Sequence, residues 1–285
     1  MKVDMIFRTM RRLGLVGLTA VLMLLLASCS TFGHGLTGSA GNPGSADGAS
    51  VGDASMSTLA TLPTYSGFPG VQFLPVAGVP SAADPLGWQH YKLPGKQATA
   101  YAFSSIDQRL TLSATAISSA SMLRQNIKAS AEAPHKIKFS WKVPALIRGA
   151  DLTVRETHDS PVRVALAFAG DRSQFSMKNA MLSELALALT GEALPYATLM
   201  YVWCNQCTRG DVIVNPRTDR IREIVLESGP EHLGRWRDYE RDIRADFELA
   251  FGEAPGALVH IGLMTDTDNT RESTTAWYGP ISLTP

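Results

Sequence analysis

Lys136-Ile137-Lys138-Phe139-Ser140-Trp141-Lys142-Val143 alternates polar and apolar residues without a break. A period of two places Ile137, Phe139, Trp141 and Val143 on one face and the lysines on the other. The run reads as an antiparallel strand with one buried face, so the chain must supply a second layer to cover it. Runs of similar length recur between turn residues: Thr99–Phe103, Arg109–Ala116, Ser119–Ile127, Ala197–Trp203, around Ile213, Ile221–Glu227, Leu258–Met264 and Thr274–Leu283. Pro161–Ala169 is nearly all apolar and reads as a central strand buried on both faces. Many short strands with turns between them imply a β-sandwich or a barrel.

Two stretches carry helical spacing instead. Met177–Thr190 brings Met181, Leu182, Leu185 and Leu189 near one stripe, which predicts a helix. Trp236–Phe251 spaces Trp236, Tyr239, Ile243, Phe247 and Phe251 by three and four, with Gly252 as a terminating residue. The expected fold is therefore all-β with minor α, an antiparallel sandwich with one or two connecting helices.

Ahead of this domain the chain changes character twice. Lys2, Arg8, Arg11 and Arg12 precede an apolar run from Leu13 to Leu26, and Leu26-Ala27-Ser28-Cys29 closes it. That run is short for a membrane span and has the order of a secretory signal. The Leu-Ala-Ser-Cys pattern resembles a bacterial lipobox, which implies cleavage before Cys29, lipidation of its thiol and anchoring in a membrane. Ser30 in the next position, where Asp would favour retention in the inner membrane, points to the outer membrane and a domain facing the periplasm. Residues 30–61 hold seven Gly and six Ser. They lack the apolar content to offset ordering entropy and read as a tether. The expected organisation is a signal over 1–28, a lipidated cysteine and tether over 29–64, and one domain over 65–285.

Removing 1–28 leaves a formal net charge of about −3. With no basic block, nucleic acid is not an expected partner.

Three groups of residues invite chemistry. Asp266-Thr267-Asp268-Asn269 offers oxygen ligands at alternating positions, as Ca²⁺ requires. It equally reads as a turn whose acids bond their own backbone, or as a ligand contact. Cys204-Asn205-Gln206-Cys207 is read as a local disulfide in an oxidising compartment. Redox and zinc readings lack a following helix and further ligands. Among five tryptophans, Trp141 alternates with core residues, whereas Trp88 and Trp277 lie near loops where they could stack on a sugar face. No nucleophile elbow, nucleotide loop or zinc-protease motif is present. Glu156, Asp159, Asp246, Asp266 and Asp268 could serve a glycosidase only if two faced each other. A polar network with Arg163 and Arg244 is the competing reading.

Several of these segments together resemble DUF3047, a bacterial family of unknown function. They are Ser119-Ala-Ser121-Met-Leu, Phe139-Ser-Trp141-Lys-Val143, Asp159 with Arg163-Val164, Tyr201-Val-Trp203, Glu227-Ser-Gly229, Asp246-Phe247 with Phe251-Gly252, Met264-Thr-Asp266-Thr-Asp268-Asn269-Thr270 and Ala276-Trp277-Tyr278-Gly279. The resemblance spans roughly 85–285. It implies a jelly-roll-like sandwich similar to carbohydrate-binding modules, with no established activity. This chain departs from the pattern in having His158-Asp159 where many members pair two acids, and in its Cys204/Cys207 pair. The ligand-contact candidates are Trp88, Asp159, Trp277 and Tyr278. The functional expectation is a lipid-anchored envelope protein that binds a polysaccharide. A lipoprotein contacting another envelope protein and a saccharide hydrolase are the alternatives.

Overall fold

The structure is a computed structural model and describes residues 88–127 and 135–284. The segments expected to be a signal and a tether, with Cys29 between them, lie outside the described residues. The strands are β1 (Trp88–Lys92), β2 (Ala100–Ile106), β3 (Arg109–Ile117), β4 (Ser121–Asn126), β5 (Lys136–Lys142), β6 (Arg163–Phe168), β7 (Ala197–Cys204), β8 (Val212–Val214), β9 (Ile221–Ser228), β10 (Trp236–Asp242), β11 (Leu258–Met264), β12 (Ser273–Tyr278) and β13 (Ser282–Thr284). Two helices interrupt them, α1 (Met177–Thr190) and α2 (Ile243–Phe251).

The strands form two sheets. One runs β1-β4-β11-β6-β7-β9-β8, the other β10-β5-β12-β3-β2 with β13 added beside β5. From β3 to β6, and again from β9 to β12, successive strands cross between the sheets. That alternation gives the sandwich its jelly-roll character. The expectation of a wholly antiparallel sandwich needs one correction: β7 and β9 pair in parallel, because the chain between them runs out to the sheet edge as β8 before returning.

The strand β5 behaves as its alternation predicts. Ile137, Phe139 and Trp141 are buried; the Phe139 ring packs on Tyr201 from the facing sheet, and Phe139 and Trp141 both pack on Tyr239 from the neighbouring strand. Such ring pairs contribute roughly 0.5–1.5 kcal/mol each beyond area burial. Strand β6 is buried along its whole length. Val164, Leu166 and Phe168 point into the inter-sheet core, and Arg163, Ala165 and Ala167 occupy the other face.

The two helical expectations fare differently. Only the second half of Trp236–Phe251 is helical. Residues 236–242 are strand β10, paired with β5 from Trp236↔Lys142 to Asp242↔Lys136. The switch occurs at Asp242, whose side chain accepts from the Ala245 amide and caps α2. From there Ile243, Phe247 and Ala250 enter the core, where Phe247 meets Phe168 at 4.7 Å and Phe251 at 4.5 Å. Helix α1 has the expected bounds, and its stripe faces away from the sheet. Its buried residues are Asn179 and Ser183. Asn179 donates to Asp219 at 2.6 Å and accepts from Thr218 at 2.8 Å, so the helix rests on a polar face and turns its apolar stripe outward.

Candidate functional site: a cavity on the outer face of the seven-stranded sheet

The second face of β6 forms the floor of a cavity of about 600 Å³. Ala165 and Ala167 lie at its centre, Met200 comes from β7, Gly262 and Met264 from β11, and Met122 from β4. Small side chains make the hollow. A Cβ on Gly262 would stand 2.2 Å from Met122 Sδ, so that methionine closes over the glycine. Phe175 and Asn179 from the α1 segment and residues 192–195 complete one wall.

Charge is concentrated at the two ends. At the first, Arg163 is only 2% exposed, yet it donates to Glu223 at 2.6 Å, to Asp266 at 2.9 Å and to the His158 carbonyl at 3.1 Å. His158 Nε2 lies 3.2 Å from Glu223. Desolvation raises the Glu223 carboxyl, but Arg163 and His158 more than offset it and leave it below its usual range. Asp266 is pushed up to about 6 by burial, which outweighs the same guanidinium. At the other end Arg124 holds Glu192 bidentately at 2.6 and 2.9 Å. His260 lies nearby with its pKa lowered by burial and by Arg124.

Four buried polar atoms on residues lining this cavity have no hydrogen-bond partner among the described residues: Glu223 Oε2, His260 Nδ1, Arg124 Nε and His158 Nε2, the last of them facing Glu223 Oε1. Buried polar groups are ordinarily satisfied, and an unmade bond costs about 1–3 kcal/mol. The four atoms belong to residues at both ends of the cavity, so the unmade bonds are concentrated around it.

The residues singled out from the sequence are distributed around this site unevenly. Trp88 is buried in the inter-sheet core and presents no stacking face. Trp277 is half-buried on β12, between the core residues Ala276 and Tyr278, and so points outward from the other sheet. Tyr278 is also buried, its hydroxyl donating to the Met264 carbonyl at 2.6 Å and accepting from the Arg163 amide at 3.2 Å. The three stand apart from the cavity lining, whose aromatic members are Tyr91 and Phe175. Asp159 is a buried clamp. Its carboxylate accepts from Asn269 Nδ2, the Thr270 amide and Thr270 Oγ1, each at 2.7 Å, and from the Asn269 amide at 3.3 Å.

Asp266, Asp268 and Asn269 do reach the cavity. Asp159, Asp266 and Asp268 also bring one ligand atom each within 4.8 Å of one another, as a cation site would. Their oxygens are already committed, however: Asp159 to the loop, Asp266 to Arg163 and the Ser160 amide, and Asp268 to Lys96. Arg163 and Lys96 supply the positive charge that Ca²⁺ would bring. Millimolar Ca²⁺ should therefore leave the melting temperature unchanged, and a rise with added ion would establish a metal site. The backbone donors expected for Asp268 belong instead to Asp159. Cys204 and Cys207 are joined as a disulfide at a Cα–Cα distance of 5.7 Å, and the Cys207 amide donates to Cys204 Sγ.

The anticipated network forms with Arg163. Arg244 takes no part in it and pairs with Glu248 on the surface of α2. Glu223 and Asp266 sit on one guanidinium rather than facing each other across a cleft as an acid and a base.

Asp266 also sets a pH dependence. Its folded pKa lies above the unfolded value, so between about pH 4 and 6 the folded state holds a proton that the unfolded state has released. That contribution favours folding as pH falls and is lost as pH rises through about 6. His90 and His260, both held below their ordinary pKa by burial, act in the opposite sense. The comparison is therefore wild type against Asp266→Asn. The variant should gain relative stability at pH 7, and the gap should narrow as pH falls through about 6 and close near pH 4. Parallel stability profiles would refute a raised Asp266.

A model of the family DUF3047, "Protein of unknown function", matches residues 86–282. No curated protein matches the chain. Among solved structures, the family 11 carbohydrate-binding module of cellulosomal cellulase Lic26A-Cel5E of Clostridium thermocellum is similar over 70% of this chain and 88% of its own, at 10% identity and a TM-score of 0.36. A structure titled "CBM4 structure and function" covers 72% of this chain and 90% of its own, at 11% identity and a TM-score of 0.34. The xyloglucanase domain of NopAA from Sinorhizobium fredii, in complex with cellobiose, covers 72% and 99% at 9% identity and a TM-score of 0.36. Likeness at this level carries no inference about residues or ligands.

Proposed function

The chain belongs to the DUF3047 family, and from that starting point we propose that its sandwich is a saccharide-binding module, held at the envelope membrane through Cys29. The observation that carries the reading is the chemistry of the cavity lining. A sugar ring has C–H faces and a rim of hydroxyls. The floor of Ala165, Ala167, Met200 and Gly262 suits the first. The second suits the polar side chains at the two ends, of which Glu223 accepts, Arg124 donates and His158 and His260 can do either. The cavity volume is within the range of small-ligand sites.

The test is calorimetric titration of the mature chain carrying Cys29→Ser with envelope oligosaccharides. Binding by at least one saccharide class is expected. Ala167→Leu, which fills the floor without entering the inter-sheet core, should abolish it. Glu223→Gln should weaken it roughly tenfold, the size of one charge-assisted hydrogen bond. No binding, or binding that survives a filled cavity, would overturn the assignment. Anchoring is tested apart from this by metabolic labelling with an acyl analogue, which Cys29→Ser should prevent.

A further inference from the structure

Helix α1 has its polarity reversed relative to an ordinary surface helix. Its inward face is polar and fixed by Asn179. Its outward face carries Met177, Met181, Leu185 and Leu189 at 81, 67, 54 and 60% exposure. Spacing by four keeps these side chains within about a third of the helix circumference. Between Asn179 and Thr190 the only charged residue is Glu184. Scattered exposed apolar residues are ordinary, but a continuous stripe on one helix marks an interaction surface.

We propose that this stripe docks onto the lipid bilayer to which Cys29 tethers the protein. The inference extends beyond the saccharide reading and rests on the lipidation part of it. Three features select a bilayer over another occupant. The chain ahead of the described domain contains Cys29 in its lipobox, so the domain works beside a membrane at high effective concentration and weak docking suffices. Helix α1 has 14 residues and is about 21 Å long, too short to cross the roughly 30 Å hydrocarbon core but long enough to lie in its surface. The stripe is also made of Met and Leu, none of them branched at Cβ, which adapt to fluid acyl chains rather than to one shaped partner. Asn179, on the opposite face of the helix, lines the cavity, and so does Phe175 just before it. Docking would bring that wall of the site towards the headgroup layer.

The experiment uses the mature chain with Cys29→Ser, so that binding owes nothing to the acyl anchor and a failure of lipidation is scored separately by labelling. The probe is vesicles of phosphatidylethanolamine and phosphatidylglycerol at 3:1, read by flotation. Wild-type stripe should float with vesicles, and Met181→Glu/Leu185→Glu should lower the bound fraction at least tenfold while circular dichroism stays native. A second variant keeps the proposal open to refutation should that one misfold. Met181→Cys provides a single free thiol, since Cys204 and Cys207 are joined, and a polarity-sensitive dye there should shift to the blue on vesicle addition. An unshifted dye, equal flotation of the charged variant, or a wild-type dimer that the double substitution dissociates would each overturn membrane docking. The last result would assign the stripe to a second copy of the chain.

Discussion

Arg163→Met should cost about 3–5 kcal/mol, the range found when one partner of a buried ion pair is removed. The guanidinium lies between Glu223 and Asp266, and all three groups are almost wholly inaccessible. Without it two carboxylates remain in a dry site, and at least one must take up a proton or draw in water. Domains of this size shift by roughly 2–4 °C per kcal/mol, so a fall of about 10 °C in melting temperature is expected. The double variant Arg163→Met/Asp266→Asn should recover part of the loss, because it removes one of the stranded charges. Thermal melts of the wild type, both single variants and the pair check this. A loss below about 1 kcal/mol, or no recovery in the pair, would show that Arg163 does not hold this end of the sheet.

Asp159→Ala should be the next most damaging change at the site, by about 3 kcal/mol, while Asp268→Ala costs under about 1 kcal/mol. The contrast follows from what each carboxylate receives. Asp159 accepts two backbone amides, an amide side chain and a hydroxyl from Asn269 and Thr270, and its loss leaves buried donors unpaired. Asp268 meets a half-exposed lysine, Lys96, and such pairs contribute little. Hydrogen exchange should show the Asn269 and Thr270 amides losing protection in Asp159→Ala at temperatures where β5 and β6 remain protected. Equal costs for the two substitutions would mean that the loop is held by Coulomb attraction to cations rather than by this clamp.

The parts of the fold that were legible before the structure are those where one physical signal acts alone. Strand β5 alternates because one face is wet, and β6 is continuously apolar because neither face is. The segment 236–251 carries two signals at once. Trp236, Tyr239 and Ile243 fall at helical spacing, but Trp236 and Tyr239 belong to a strand paired with β5, and only after the Asp242 cap does the chain coil. In α1 the spacing gives the helix and not its orientation, since a stripe facing solvent has the same period as one facing the core. The cavity left almost no trace in the sequence. Its floor is defined by what Ala165, Ala167 and Gly262 lack, and these residues come from two neighbouring strands far apart in the chain. Arg163 was readable as a network residue. Glu223, its partner, carried no motif that would have set it apart from other strand acids.

Because β6 is buried on both sides, its even and odd positions answer to different demands. Val164, Leu166 and Phe168 hold the two sheets together, whereas Ala165 and Ala167 shape the hollow opposite. Apart from Arg163, whose role is structural, the hollow can be enlarged, narrowed or recontoured residue by residue while the packing that keeps the domain folded stays the same. Such a strand separates the endurance of the scaffold from the selectivity of its surface. Chains sharing this architecture could differ widely in the molecules they accept while melting at similar temperatures.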